Sequence, residues 1–247
     1  MTTIAVMAEP PRSGAVLPDL VDGGTLTEAE ATELYTAMVA DLCEAIDGSG
    51  AELLVNYRSG EQVPGDDVDA EAEVRSALDG VIDTDEIRFE VQVGSTHAAR
   101  VGNTVTHLLE REGVKTAAVA RPTAALLARQ HVDSAAMKLR TNEVVLAPST
   151  AGRVSYAGFA EPIDFEDAFT APAIETLVQR ATDAGLSVDF LPTIPVLEDE
   201  SDLLTVLPQI RARETAGRLV PSRTAATLDD LGFEVVDEDG TATVRRS

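Results

Sequence analysis

The chain is short of lysine, cysteine, histidine and aromatic residues, and each shortage closes off a class of function. Lys115 and Lys138 are the only lysines among 19 basic residues, which face 43 acids for a formal charge of −24. Such a balance argues against bulk electrostatic attraction to nucleic acid or to an anionic membrane. Cys43 is the single cysteine, so no intrachain disulfide can form. It falls on a helical pattern beside Leu42 and Ile46, which makes it a packing residue. No stretch approaches the roughly 20 apolar residues of a membrane span, and no basic segment followed by an apolar run opens the chain. The expected setting is therefore cytoplasmic. Many acids, almost no lysine and a normal apolar fraction of 44% suggest adaptation to a high-salt interior, where screening shortens like-charge repulsion.

Three histidines, His97, His107 and His131, give no metal-ligand spacing. His97 and His107 do not share a helical face, so surface or capping roles are expected. The chain has no Cys/His cluster, G-x-S-x-G elbow or phosphate-loop lysine.

What is present is alternation. Thr3–Ala8 reads as a buried strand, followed by a segment broken by prolines and glycines. Thr27 with Glu30 forms a capping box opening a helix to about Ala45, with Tyr35, Val39, Leu42 and Ile46 at helical spacing. Ala51–Tyr57 is a strand. The acidic run Glu61–Glu73, including Asp66, Asp67 and Asp69, lacks a calcium-loop order and reads as a loop entering a short helix. Ile87–Val93 alternates as a strand, and Ser95 is the expected cap of a helix along Val101, Val105 and Leu108 that Gly113 ends. Thr116–Ala120 is a strand, and Pro122 suits the first turn of a helix along Leu126, Leu127, Val132 and Met137. Strands follow at Val144–Leu146 and Val154–Phe159, then a mostly helical Phe165–Ala184 stopped by Gly185. Ser187–Leu191 is a strand and Asp199–Arg213 a helix.

This order predicts a three-layer α/β/α sandwich with a mostly parallel sheet over residues 1–216. Residues 217–247 are expected to form a small appendage. It comprises a helix over Thr224–Leu231 and a hairpin turning at Asp239-Gly240, and it would cover a sheet edge or meet a partner.

Two segments could carry chemistry. The loop Glu9–Asp19 follows the first strand, where α/β proteins hold phosphates. Its one cation is Arg12, and Glu9 and Asp19 oppose an anion, so a plain connection is an equal reading. Glu198-Asp199-Glu200-Ser201-Asp202 offers carboxylates to a divalent cation, or caps the helix it opens.

Four segments in order, A-x-P-P-x-x-G from Ala8, Q-V-G-S-x-x-A-A-R from Gln92, A-P-x-x-x-G from Ala147 and the acidic stretch ending Asp202-Leu203, resemble a known family. It comprises small nucleotide-diphospho-sugar transferase-like proteins with a glycosyltransferase A-type fold, relatives of phospholactate guanylyltransferase. The resemblance implies a nucleotide or nucleotide-sugar ligand, with Mg or Mn held by carboxylates. Gly14, Val16, Gln92, Arg100 and Gly152 match its pattern, as do Glu198, Asp202 and Leu203. The family's Lys after the first strand is Glu9 here, and its K-T-R-L run is Leu17-Pro18-Asp19-Leu20. Its G-S-D-S-P-D-L signature appears as Ala120-Arg121-Pro122-Thr123-Ala124, without a carboxylate. Its D-G-G-Y-Y motif becomes Ala151-Gly152-Arg153-Val154-Ser155.

The resemblance thus implies a transferase whose catalysis is altered or lost. Arg12, Gly14, Gln92, Arg100, Gly152 and Arg153 would face the nucleotide or another anion, and Glu198 with Asp202 would hold the metal. The alternative expectation is a non-catalytic binding module, pairing with itself or another protein through the C-terminal hairpin.

Overall fold

The computed structural model describes residues 1–66 and 68–246; Asp67, part of the acidic run, lies outside them. In chain order the elements are β1 Thr2–Ala8, α1 Pro18–Asp22, α2 Glu28–Asp47, β2 Glu52–Tyr57, α3 Ala70–Leu78 and β3 Arg88–Val91. Next come α4 His97–Thr106, β4 Thr116–Ala120, α5 Arg129–Lys138, β5 Val144–Pro148, β6 Val154–Phe159 and α6 Ala173–Asp183. The chain closes with β7 Val188–Phe190, α7 Glu200–Thr215, α8 Ser222–Asp230, β8 Phe233–Glu238 and β9 Thr241–Arg246.

Seven strands make one sheet in the order β3-β2-β1-β4-β6-β5-β7. Only β6 runs against its neighbours, β4 and β5. The three-layer sandwich expected from the alternation is what forms. The interior strand β1 is buried along its whole length, as parallel strands with helices on both faces are. Ile4, Val6 and Ala8 enter one core with α2, while Ala5 and Met7 enter the other with α4, the period-two alternation of a pleated strand. No helix among the described residues is long and apolar enough to cross a membrane.

Several local expectations give way to tertiary structure. Helix α5 begins at Arg129, well past Pro122, and His131 Nδ1 accepts the Ala128 N–H at 3.0 Å as its cap. Residues 122–127 are instead held as buried turns: Leu197 donates its N–H to the Thr123 carbonyl at 2.8 Å, and Leu126 and Leu127 are buried. Met137 is 67% exposed and lies off the buried stripe. The cap of α4 is Thr96, whose Oγ1 accepts the Ala99 N–H at 3.1 Å. Gly94 turns the chain there at φ +139°, where a Cβ would stand 2.8 Å from the Arg100 nitrogen. Of Phe165–Ala184 only Ala173–Asp183 is helical, because Pro172 disfavours helical conformation in the residue before it.

The tail packs on helices. Helix α8 lies on α2, and the hairpin lies on α7. Ala225, Leu228, Leu231 and Phe233 join the same core as the sheet.

Candidate functional site

Strands β2, β1 and β4 are adjacent and parallel, with Ala8 beside Tyr57 and Val6 beside Ala120. Their carboxyl ends therefore share one edge, and β1 is where the strand order reverses direction, the place where open α/β sheets leave a crevice. The residue directly after each of these strands is charged: Glu9 after β1, Arg58 after β2 and Arg121 after β4. They border a cleft of about 460 Å³ whose apolar side includes Val16, Leu17 and Phe169. Tyr35 rises from α2 beneath it, and its Oη accepts the Glu9 N–H at 2.8 Å.

The charges in this cleft are unevenly paired. Arg58 Nη1 stands 3.1 Å from Glu9 Oε2. Arg121 Nη1 donates to Glu198 Oε1 at 2.8 Å. Arg100, on α4, forms no salt bridge among the described residues. The Nε groups of Arg58, Arg100 and Arg121 are all buried without a hydrogen-bond partner. Burial lowers the Arg100 pKa, with the like charge of Arg58 adding to it and Glu9 opposing. Burial raises the Glu9 carboxyl against the pull of Arg58 and Arg100.

His97 completes the wall, its ring edge-on to Phe169 at 5.1 Å and 78°. Burial, reinforced by Arg121 and Arg100, pushes its imidazole down to about 3, so it is neutral. This side chain is neither the surface group nor the cap expected of it. His131 does cap a helix, and His107 pairs with Glu112 at 3.3 Å.

Behind Arg121 lies a second layer of ion pairs. Arg153 Nη1 reaches Glu198 Oε2 at 3.1 Å, and its Nη2 reaches Asp202 Oδ1 at 2.5 Å. Burial opposes the charge on Glu198, and Arg121, Thr123 and Arg153 outweigh it, leaving the carboxyl below its usual range. The loop carrying Arg153 turns through two left-handed residues, Ala151 at φ 55° and Gly152 at φ 72°. Gly152 serves that turn, since a Cβ there would meet Pro172 at 3.0 Å.

The expected site residues therefore divide. Glu198 lines the cleft, Arg100 stands beside it within electrostatic reach of Glu9 and Arg58, and Arg153 stands behind it. Arg12 lies elsewhere, donating to the Pro64 carbonyl at 2.8 Å and pairing with Glu73 at 3.4 Å. Gly14 is a left-handed turn residue with open space around it. Gln92 is a strut: its Nε2 donates to the Ala8 and Asn56 carbonyls at 3.0 and 2.7 Å, tying strand ends together. Arg58, Arg121 and His97 are the cleft residues that motif matching passed over.

Glu198 and Asp202 do not fit the expected metal. Asp202 is 1% exposed and accepts from Thr150, Arg153 and the N–H groups of Glu198 and Asp199. No group of three or more His, Cys, Asp or Glu able to hold a metal ion occurs among the described residues.

A larger hollow of about 930 Å³ lies on the α4 face, beside residues 163–167. Its buried polar groups satisfy one another, Thr104 donating to Asn56 Oδ1 at 2.9 Å and Asn56 to the Glu90 carbonyl at 3.1 Å. Its rim carries Glu110, Asp164, Glu166 and Asp167. Size favours that hollow, but the buried unpartnered polar atoms, the arginine Nε donors and the Glu9 Oε2 acceptor, favour the switch-point cleft.

No family model matches the chain, and no curated protein matches it in sequence. Solved structures do. A protein from Desulfovibrio desulfuricans G20, assigned as a nucleotide-diphospho-sugar transferase, is 19% identical over 93% of this chain and 94% of its own, with a TM-score of 0.74. A Methanothermobacter nucleotidyl transferase is 15% identical over 85% of this chain and 97% of its own, at 0.52. The 4-diphosphocytidyl-2C-methyl-D-erythritol synthase of Anaerococcus prevotii is 11% identical over 85% and 96%, at 0.50. The fold is that of the nucleotide-diphospho-sugar transferases.

Proposed function

We propose that the cleft binds a nucleoside diphosphate or nucleotide-diphospho-sugar, its phosphates against Arg58, Arg100 and Arg121, and that transfer chemistry in this chain is altered or lost. One observation carries the reading. In a protein of charge −24, Arg58 and Arg121 at one strand edge and Arg100 on α4 beside them all have buried, unpartnered Nε donors. Guanidinium donors match phosphate oxygens in geometry and charge, and a phosphate would satisfy what the protein leaves open. The fold supports the nucleotide as the carrier of that phosphate, since the similar structures are named for nucleotidyl and nucleotide-sugar transfer. Altered chemistry is supported by the acids expected to hold a metal, which arginines hold instead.

Arg100 is the discriminating residue because no salt bridge depends on it. Calorimetric titration with UDP-, GDP- and CDP-type ligands should give saturable binding of at least one. Arg100→Gln should weaken it by about 1.5–3 kcal/mol, the worth of a charged hydrogen bond, or roughly 10- to 150-fold in Kd. No heat and no thermal stabilisation with any of them would refute the reading.

A further inference from the structure

We infer that Arg121, fixed by Glu198, stands in for a divalent cation against the ligand's phosphates, so that nucleotide binding here is independent of metal. The inference rests on the reading of the cleft as a nucleotide site, and goes beyond it to the way that site is neutralised.

A hard cation needs several oxygens with lone pairs to give. The acids of the 198–202 segment, those expected to hold it, have few left. Glu198 Oε1 accepts from Arg121 at 2.8 Å and from Thr123 Oγ1 at 2.7 Å, and its Oε2 accepts from Arg153 at 3.1 Å. Both oxygens of Asp202 accept two hydrogen bonds each, from Thr150 and Arg153 and from two backbone N–H groups. Asp199 Oδ1 accepts the Asp202 N–H and the Ser201 hydroxyl, while Oδ2 faces Arg153 at 3.4 Å. A cation entering beside Glu198 would also sit against the positive charges of Arg121 and Arg153.

Arg121 supplies what the cation would. It directly follows β4, and its backbone N–H donates to the Ser155 carbonyl at 3.0 Å, so its origin is rigid. Glu198 orients the guanidinium, and Thr123 and Arg153 orient Glu198. Among the described residues only Nη1 has a partner; Nε is buried and unpartnered. A guanidinium carries five donors in a planar fork, and it is more weakly hydrated than an ammonium group. With Arg58 and Arg100 beside it, three guanidinium groups stand at the cleft, two of them paired with carboxylates, Arg58 with Glu9 and Arg121 with Glu198.

The test is calorimetry of the full chain with uridine, guanosine and cytidine diphosphates, in excess EDTA and again in saturating Mg²⁺ or Mn²⁺, beside titration with Mn²⁺ alone. For a diphosphate that binds, Kd should agree between the buffers within about threefold, and Mn²⁺ alone should show no saturable site. Arg121→Gln should weaken binding about tenfold or more in both buffers. Arg121→Lys, which keeps the charge but not the fork, provides the second variant if the first is poorly folded, and should bind more weakly than wild type without acquiring a metal requirement. A diphosphate that binds only with metal, a saturable Mn²⁺ site lost in Glu198→Gln, or unchanged affinity in the Arg121 variants would overturn the inference and leave the nucleotide reading standing. Absence of binding by all three diphosphates in both buffers overturns that reading, and the inference with it.

Discussion

His97 shows how a single side chain is defined by neighbours that its local sequence does not reveal. Its position ten residues before His107 rules out a shared helical face, yet says nothing of Phe169, Arg121 and Glu198, which come from three other parts of the chain. The folded value near 3 against an ordinary 6.5 fixes a pH dependence. As pH falls below about 6.5 the unfolded chain takes up a proton that the fold refuses until near 3. Stability is thus complete above that window and drains as pH falls through it. Urea denaturation at pH 7.5 and at pH 5 should show wild type losing roughly 1–2 kcal/mol more than His97→Gln. Equal losses would contradict this account. The comparison is made against that variant because burial lowers His131 as well, with Arg213 adding to the effect.

Helix α8 illustrates the same division at the scale of elements. The turn joining β8 and β9 is legible from Asp239-Gly240, and both residues adopt the left-handed conformation, φ 53° and 82°, that a two-residue hairpin turn of this type requires. The capping box at Thr27 and Glu30 is equally local and forms as read. The docking of α8 is not local. Its N-terminus lacks a capping side chain of its own, and Asp41 of α2 supplies one across 182 positions. It accepts from the Arg223 N–H at 3.2 Å, the Thr224 N–H at 2.8 Å and the Thr224 hydroxyl at 2.8 Å. The false start of α5 at Pro122 has the same cause, a long-range bond from Leu197 outweighing a local proline signal. Removing the Asp41 carboxylate strands buried donors, each worth about 1–3 kcal/mol. Asp41→Ala should therefore destabilise the protein by about 2–4 kcal/mol and speed proteolysis next to Leu219, which is 95% exposed. Unchanged cleavage would mean that the tail is held by its apolar contacts alone. The tail's apolar side chains pack into the chain's own core, so the hairpin is first of all an internal structural element.

Over the whole molecule, two charge patterns of different range coexist. The body carries −24, spread over surface acids whose mutual repulsion acts across distances comparable with the Debye length, about 10 Å at 0.1 M salt. The cleft concentrates arginines whose pairing distances, such as 2.8 Å from Arg121 to Glu198, lie far inside that length. The layered, mostly parallel sheet was legible from the alternation of segments; the strand order that brings β1, β2 and β4 to one edge, and the arginine cluster with it, was not, because the sheet assembles them from residues that are far apart in sequence. Salt separates the two patterns. Raising KCl shortens the Debye length to about 3 Å at 1 M, which removes the body's self-repulsion while sparing contacts that are short and partly buried. We therefore expect the thermal midpoint to rise by about 5 °C or more between roughly 0.1 and 2 M KCl, a shift of order 1 kcal/mol or more in stability. Far-UV circular dichroism melts in a KCl series measure it directly. A midpoint that stays flat or falls would mean that surface ion pairs, such as Arg88 with Glu112 at 2.7 Å, stabilise the fold more than the acidic excess destabilises it, and would remove the case for adaptation to high salt.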